Sequence, residues 1–173
     1  MTSMPLRPRV WLSLLGTLVL TSACASVEPV SKAPARAAFA TPQPVAGYDW
    51  HLTTDEGSVR LAYGIAESDE LKLGLDCAAG SSRVDITATA PTGSRTLLLE
   101  SGGETERFAA RGEPSELSDG DLLTASTVAE IPVFQRFRRL GWMAQWTGGD
   151  TRETFVAHPG TQADIERFFA LCD

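Results

Sequence analysis

The stretch YDWHLTTDEGSVRLAY, residues 48–63, decides the fold because its apolar residues recur at every second position. A turn at 55–57 divides the stretch into two halves that both keep this spacing. The apolar residues are Tyr48, Trp50 and Leu52 before the turn and Val59, Leu61 and Tyr63 after it. Alternation with a period of two is typical of a half-buried β-strand. We therefore predict a β-hairpin here.

The same alternation continues further along the chain. Two more strands are predicted on either side of a turn at 79–81, followed by shorter strands at 97–99 and 107–110. The residues on the buried face of the first pair are Leu71, Leu73, Leu75 and Cys77, then Val84, Ile86, Ala88 and Ala90. Strands spaced by about 8–12 residues are typical of a β-sandwich or barrel.

The second half of the domain mixes strands and helices. Residues 112–121 read as a polar loop, 122–129 as a strand, and 142–147 with 151–157 as a hairpin. Pro132 begins a short helix that ends at Gly141, and Thr161 caps a C-terminal helix with a stripe of apolar residues. We predict an α+β fold that is mainly β: a small antiparallel sandwich or barrel-like sheet with one short helix and a C-terminal helix.

The N-terminus carries a targeting pattern. Arg7 and Arg9 precede the uncharged run at 10–20, which at eleven positions is shorter than the roughly 20 apolar residues of a membrane-spanning helix. Residues 1–23 therefore read as a signal peptide. Thr21, Ser22 and Ala23 stand before Cys24, and this arrangement resembles the lipobox of bacterial lipoprotein precursors, although Thr21 occupies the place where leucine is usual.

The resemblance implies cleavage between Ala23 and Cys24, lipidation of Cys24, and anchoring in the cell envelope. Ala25, rather than Asp, after the cysteine implies the outer membrane, with the protein facing the periplasm. An alternative stays open, because Ala23-Cys24-Ala25 also fits an ordinary A-x-A cleavage site. That cleavage would release a soluble protein beginning at Ser26.

Residues 24–46 form the expected lipidated N-terminus and tether, and residues 47–173 the single β-rich domain. The tether is rich in Pro and Ala and has few apolar residues, which predicts an extended segment. Four of the 15 basic and one of the 22 acidic residues precede position 47, so the domain carries about ten net negative charges. This balance argues against a nucleic-acid partner.

Three cysteines are present, and two remain if Cys24 is lipidated. Cys77 and Cys172 each fall on the buried face that the local periodicity predicts. Because cysteine pairs form disulfides in the oxidising compartments that exported proteins reach, we predict a Cys77–Cys172 disulfide that joins the last helix to the third strand. Two free thiols in the core are the alternative.

No motif in the chain indicates a catalytic or metal centre. The sequence has no G-x-S-x-G, H-E-x-x-H, C-x-x-C or glycine-rich phosphate loop. His51 and His158 read as surface histidines, and Asp119-Gly120-Asp121 reads as a plain turn rather than a calcium loop. We expect no cofactor, no metal and no enzymatic activity.

Two groups of residues could bind a partner. Arg136, Arg138 and Arg139 project from the short helix and could hold carboxylates or phosphates of peptidoglycan, lipopolysaccharide or an acidic protein; neutralisation by acidic loops of the same chain is the alternative. Trp142 and Trp146 share one strand face, and we expect them in the core rather than on an exposed stacking surface.

These observations predict a lipid-anchored envelope protein that presents its domain as a non-enzymatic structural or binding module. The expected partners are the membrane, through the lipid anchor, and an envelope protein or peptidoglycan. A periplasmic inhibitor or ligand-binding protein is the first alternative, and an envelope hydrolase the second.

Overall fold

The computed structural model describes residues 41–116, 119–148 and 150–173. The predictions for the signal peptide, for cleavage at Ala23, for Cys24 and for the tether up to residue 40 lie outside the described residues. The elements described below belong to one compact unit, Ala40–Asp173.

Six antiparallel strands form the larger sheet, sheet A. In spatial order they are β1 (Tyr48–Asp55), β2 (Ser58–Ile65), β3 (Leu71–Ala78), β4 (Arg83–Ala90), β8 (Asp121–Val128) and β7 (Arg111–Pro114). The predicted first hairpin is present as β1 and β2, with Trp50 opposite Tyr63. The first four strands thus form a meander.

Four antiparallel strands form the smaller sheet, sheet B. Their spatial order is β10 (Thr151–Val156), β9 (Trp142–Thr147), β5 (Thr96–Ser101) and β6 (Glu104–Ala109). The two sheets confirm the predicted mainly β fold in its sandwich form.

The prediction of a polar loop at 112–121 is wrong in part, because residues 111–114 form β7. Ala110 alone separates β6 from β7, so the chain passes directly from sheet B into sheet A. There it pairs with β8, with Gly112 opposite Leu123. An edge strand with polar residues on both sides has no apolar alternation, and pairing with β8 rather than local pattern makes it a strand.

The turn before β8 requires glycine at position 120. Gly120 has φ +123°, and a Cβ atom there would lie 2.3 Å from the backbone oxygen of Ala90. Both the positive φ and the close approach exclude a side chain. The glycine lets the chain enter β8 beside the end of β4.

Helix α1 (Pro132–Leu140) has the predicted bounds. Proline fits the first helical position because its missing N–H would have no partner there. Gly141 ends the helix in the left-handed region at φ 72°, and its N–H donates to the Phe137 oxygen at 2.8 Å.

Helix α2 (Gln162–Cys172) is the predicted C-terminal helix. Thr161 stands at its N-cap, but its side chain makes no capping bond to the helix. The hydroxyl instead donates to Asp49 at 2.6 Å and is 3.0 Å from the His158 oxygen, because the tertiary fold brings the β1 carboxylate to this turn. No helix in the described part of the chain is long and apolar enough to span a membrane.

Aromatic side chains join both sheets and both helices in the main core. The Trp50 ring of β1 lies 4.7 Å from Phe137 of α1, and Tyr63 of β2 lies 5.1 Å from Phe155 of β10. Phe169 of α2 packs against Phe134 of α1 and so joins the two helices. Each such side chain contributes about 1.5–3 kcal/mol on burial, so the core holds the two sheets and the helices together.

Candidate functional site

The predicted disulfide is present and joins the last turn of α2 to β3. The Cα atoms of Cys77 and Cys172 are 5.8 Å apart, and both residues are buried. Two backbone hydrogen bonds support the same junction: Gly80 donates to the Leu171 oxygen at 2.9 Å and Ser82 to the Cys172 oxygen at 2.7 Å. The C-terminus is therefore tied to sheet A by covalent and hydrogen bonds.

The first of the three α1 arginines points back onto sheet B. The side chain of Arg136 is 15 % exposed, and its Nε donates to the Ser101 oxygen at 2.8 Å. Its terminal nitrogens pair with Glu106 at 3.1 Å and Glu104 at 3.4 Å. Arg136 thus neutralises carboxylates of its own chain.

The other two arginines lie at a different place on the helix. Arg138 pairs with Glu130 at 3.3 Å and with Asp173 at 3.9 Å, and its guanidinium lies over the Phe169 ring. Arg139 is exposed and has no ion pair within the described residues. The structure therefore does not bring the three arginines together as one free cationic cluster.

The two tryptophans of β9 lie on the outer face of sheet B, away from the main core. Met143 and Phe155 point into that core, so the alternating positions on these strands point outward. The prediction that both tryptophans belong to the core is confirmed for Trp142, although in a smaller core cluster, and is wrong for Trp146. Trp142 is buried in a separate small cluster with Ala144 and Val156, and Trp146 is half-buried.

A buried carboxylate organises this outer face. The Glu100 side chain is 9 % exposed and accepts two hydrogen bonds from Arg152, both of 2.9 Å. It accepts a third from the Trp146 indole at 2.7 Å. The Arg152 hydrogen bonds, with help from Trp146, hold the pKa of Glu100 below its usual value, although burial opposes this.

Arg152 also stacks on both indole rings. Its guanidinium carbon lies 5.4 Å from the Trp142 ring centre and 5.9 Å from that of Trp146. Cation–π contact and a bidentate ion pair together fix the side chain. The indole of Trp146 and the guanidinium of Arg152 are therefore held in one arrangement before any partner arrives.

Strand register places one row of side chains across all four strands of this face. Arg152 lies opposite Trp146, Trp146 opposite Leu98, and Leu98 opposite Arg107. We call these four residues the outer row. The Arg107 side chain is exposed and has no ion pair or hydrogen bond to a described residue.

Sequence reasoning identified Trp146 but missed the other three members of the outer row. Their adjacency depends on the pairing of β9 with β5, and three strands and α1 lie between these two strands in the sequence. The alternation within Thr96–Ser101 could have placed Leu98 on the strand face opposite to that of its two neighbours. It could not have identified Trp146 as the residue beside Leu98.

The two histidines have different hydrogen-bonding environments. The backbone N–H of His158 donates to Asp49 at 3.1 Å, and its ring Nε2 lies 3.3 Å from the Val45 oxygen. Nε2 of His51 is buried without a hydrogen-bond partner. Neither ring bonds a serine or a carboxylate within the described residues.

The outer face of sheet A carries two facing carboxylates. Asp76 lies opposite Asp85, with Arg60 3.7 Å from Asp76 and the Ser126 hydroxyl bonded to Asp85. Burial raises the pKa of Asp76, Arg60 lowers it, and Asp85 adds to the rise. Each carboxylate therefore has a partner on a neighbouring strand, Arg60 for Asp76 and Ser126 for Asp85.

A shallow cavity of ≈ 640 Å³ lies beside these residues and is lined by Arg60, Lys72, Thr87 and others. Lys72 pairs with Glu70 at 3.3 Å. Both of these cations are therefore already paired, and the cavity offers no uncompensated charge from them.

No group of three or more metal-binding side chains occurs in the described ranges of the chain. Asp121, which the sequence places near a possible calcium loop, is buried and accepts from the Gly93 N–H at 3.0 Å. Arg95 lies 3.4 Å from the same carboxylate. Asp121 thus links the start of β8 to the loop between β4 and β5.

No protein-family model matches the chain, and no curated protein or solved structure is significantly similar to it.

Proposed function

We propose that the protein is a lipid-anchored component of the bacterial cell envelope, held in the outer membrane through Cys24 and facing the periplasm. Its domain, on a tether that ends near residue 46, acts as a non-enzymatic structural or binding module. The sequence carries no recognised catalytic motif, and the proposal assigns the domain the task of contacting another envelope component.

The Cys77–Cys172 disulfide carries this proposal. It pairs two of the three cysteines and leaves Cys24, directly after the small residues Thr21, Ser22 and Ala23, as the cysteine available for lipidation. Disulfides persist in oxidising compartments, which agrees with export by the predicted signal peptide. More than one acyl chain on Cys24 would suffice for stable anchoring, at about 0.8 kcal/mol for each buried methylene.

The intact mass of the protein recovered from a membrane fraction tests the proposal. We expect an acylated chain beginning at Cys24, with a gain of about two mass units on reduction as one disulfide opens. The variant Cys24→Ser is the control, and it should leave the membrane fraction while keeping its disulfide. An unmodified chain beginning at Ser26 in the soluble fraction would overturn the anchored module and favour a diffusible inhibitor or ligand-binding protein.

A further inference from the structure

We propose that the outer face of sheet B is a binding surface for a glycan whose sugar rings carry carboxylate groups. The outer row, Arg152, Trp146, Leu98 and Arg107, forms the contact. This inference rests on the proposed envelope function and names the partner class of the module.

The outer row has two apolar side chains at its centre and an arginine at each end, which suits a glycan of this kind. Trp146 and Leu98 are half-buried at the centre of the row, where an indole and an aliphatic side chain can cover the apolar C–H face of a sugar ring. Arg107 at one end has unused guanidinium donors, and a guanidinium binds a carboxylate bidentately.

The charge of this face differs from that of the whole domain. By register, its charged residues are Arg107, Arg152 and Glu100, and Glu100 is neutralised by Arg152. The face is thus positive while the domain is about ten charges negative. Because the Debye length is about 8 Å at physiological ionic strength, the charges of the face dominate for a ligand that contacts this face alone.

The Trp146 and Arg152 side chains are held in place before binding. Glu100 holds both the Trp146 indole and the Arg152 guanidinium by hydrogen bonds of 2.7–2.9 Å. Side chains that are already ordered lose little conformational entropy when a ligand arrives. The ordered Trp146 indole therefore favours recognition of a sugar ring that stacks on it.

A peptide fits this face less well than a glycan. Peptides dock by pairing with a sheet edge or by lying in a groove, whereas β9 and β5 are the two inner strands of sheet B, each paired on both sides. A lipid bilayer fits less well too, because it would bring anionic headgroups against the whole flank of an acidic domain. A single glycan chain meets the outer row alone.

Titration of residues 26–173, purified after export with the disulfide formed, tests the inference. Polygalacturonate oligomers are the probe, since each sugar ring carries one carboxylate, and calorimetry or tryptophan fluorescence measures the dissociation constant. We expect saturable binding to this probe, and little binding to its neutral methyl ester, to poly-glutamate or to anionic lipid vesicles.

Two substitutions locate the contact. Arg107→Gln removes the free guanidinium and should weaken binding about tenfold, since hydrogen bonds to charged groups are the stronger ones. Arg139→Gln is the matched control, because Arg139 is also an exposed arginine without an ion pair among the described residues. It should leave the dissociation constant unchanged. Circular dichroism checks that both variants fold.

Three results would overturn the inference: no binding of the folded domain to polygalacturonate, equal binding by wild type and Arg107→Gln, or equal binding to poly-glutamate or vesicles. Failure here is distinguishable from failure of the proposed function. An acylated protein that ignores the glycan refutes the partner class alone. An unacylated chain that binds the glycan refutes the anchor alone.

Discussion

At the scale of the residue, Glu100 shows how one carboxylate organises a whole sheet face. Its side chain is 9 % exposed and accepts three hydrogen bonds, two from Arg152 and one from Trp146. These two donors lie on β10 and β9, whereas Glu100 lies on β5. A buried charge without partners would cost several kcal/mol. The complete set of donors makes the burial of Glu100 tolerable.

We predict that Glu100→Gln destabilises the folded domain by about 2–3 kcal/mol at pH 7, somewhat less than breaking a fully buried pair, because the Arg152 side chain is 29 % exposed. Urea unfolding measures this change. Glu153→Gln is the matched control and lies on β10, the strand of Arg152. Its carboxylate is 47 % exposed and 4.0 Å from Lys72, so the change should stay within about 0.5 kcal/mol.

The lowered pKa of Glu100 also predicts how the stability of the domain depends on pH. The pKa of Glu100 is lowered by folding, so its stabilisation is present above the unfolded value near 4.3 and is lost as the pH falls through the lower folded pKa. Between pH 5 and pH 3 we expect wild type to lose more stability than Glu100→Gln. Parallel curves for the two proteins over this range would contradict the assignment.

At the scale of the element, helix α1 combines a predictable boundary with an unpredictable docking. Pro132 and Gly141 determine where the helix begins and ends. Which arginine is buried depends on the tertiary contacts: Arg136 faces the loop between β5 and β6, whereas Arg139 faces solvent.

We predict that Arg136→Gln costs about 2 kcal/mol of stability, because it removes the bond to the Ser101 oxygen and the ion pair with the half-buried Glu106. Arg139 lies three positions further along the same helix, and its side chain has no ion pair among the described residues. Arg139→Gln should therefore change the free energy of unfolding by less than about 0.5 kcal/mol. Thermal unfolding of the two variants compares them directly. Equal losses would mean that the Arg136 contacts contribute nothing.

At the scale of the whole molecule, the disulfide closes most of the folded chain into one loop. It spans 95 residues, from β3 to the last turn of α2. The loop contains all of sheet B and helix α1. Its main expected effect is to restrict the unfolded chain.

We predict that the double variant Cys77→Ala/Cys172→Ala loses about 3–5 kcal/mol of stability, as expected for a loop of this length. The comparison is made by urea unfolding against the oxidised wild type. Reduced wild type is the control and should fall close to the double variant. A double variant as stable as the oxidised protein would show that the bridge adds nothing beyond the core contacts.

Most elements of this fold could be predicted from the sequence because their side chains face two different environments. The strands from β1 to β4 and both helices have one buried face, and this produces periods of 2 or 3.6 residues. Strand β7 and the outer row have no such local signal. Gly112 becomes part of a strand by pairing with Leu123, and Leu98 meets Trp146 through a register between distant segments.

The sequence by itself determined the strand and helix pattern, the acidic charge of the domain, the cysteines that face the core, and the expectation of an exported, lipid-anchored chain. The tertiary structure decided that the β9 tryptophans face away from the main core, that Arg136 is half-buried against Glu106, and that Arg107 ends the outer row. Alternation shows that a strand has two faces. Only packing of the two sheets and the helices determines which face lies inside, because that choice depends on contacts between residues far apart in the chain.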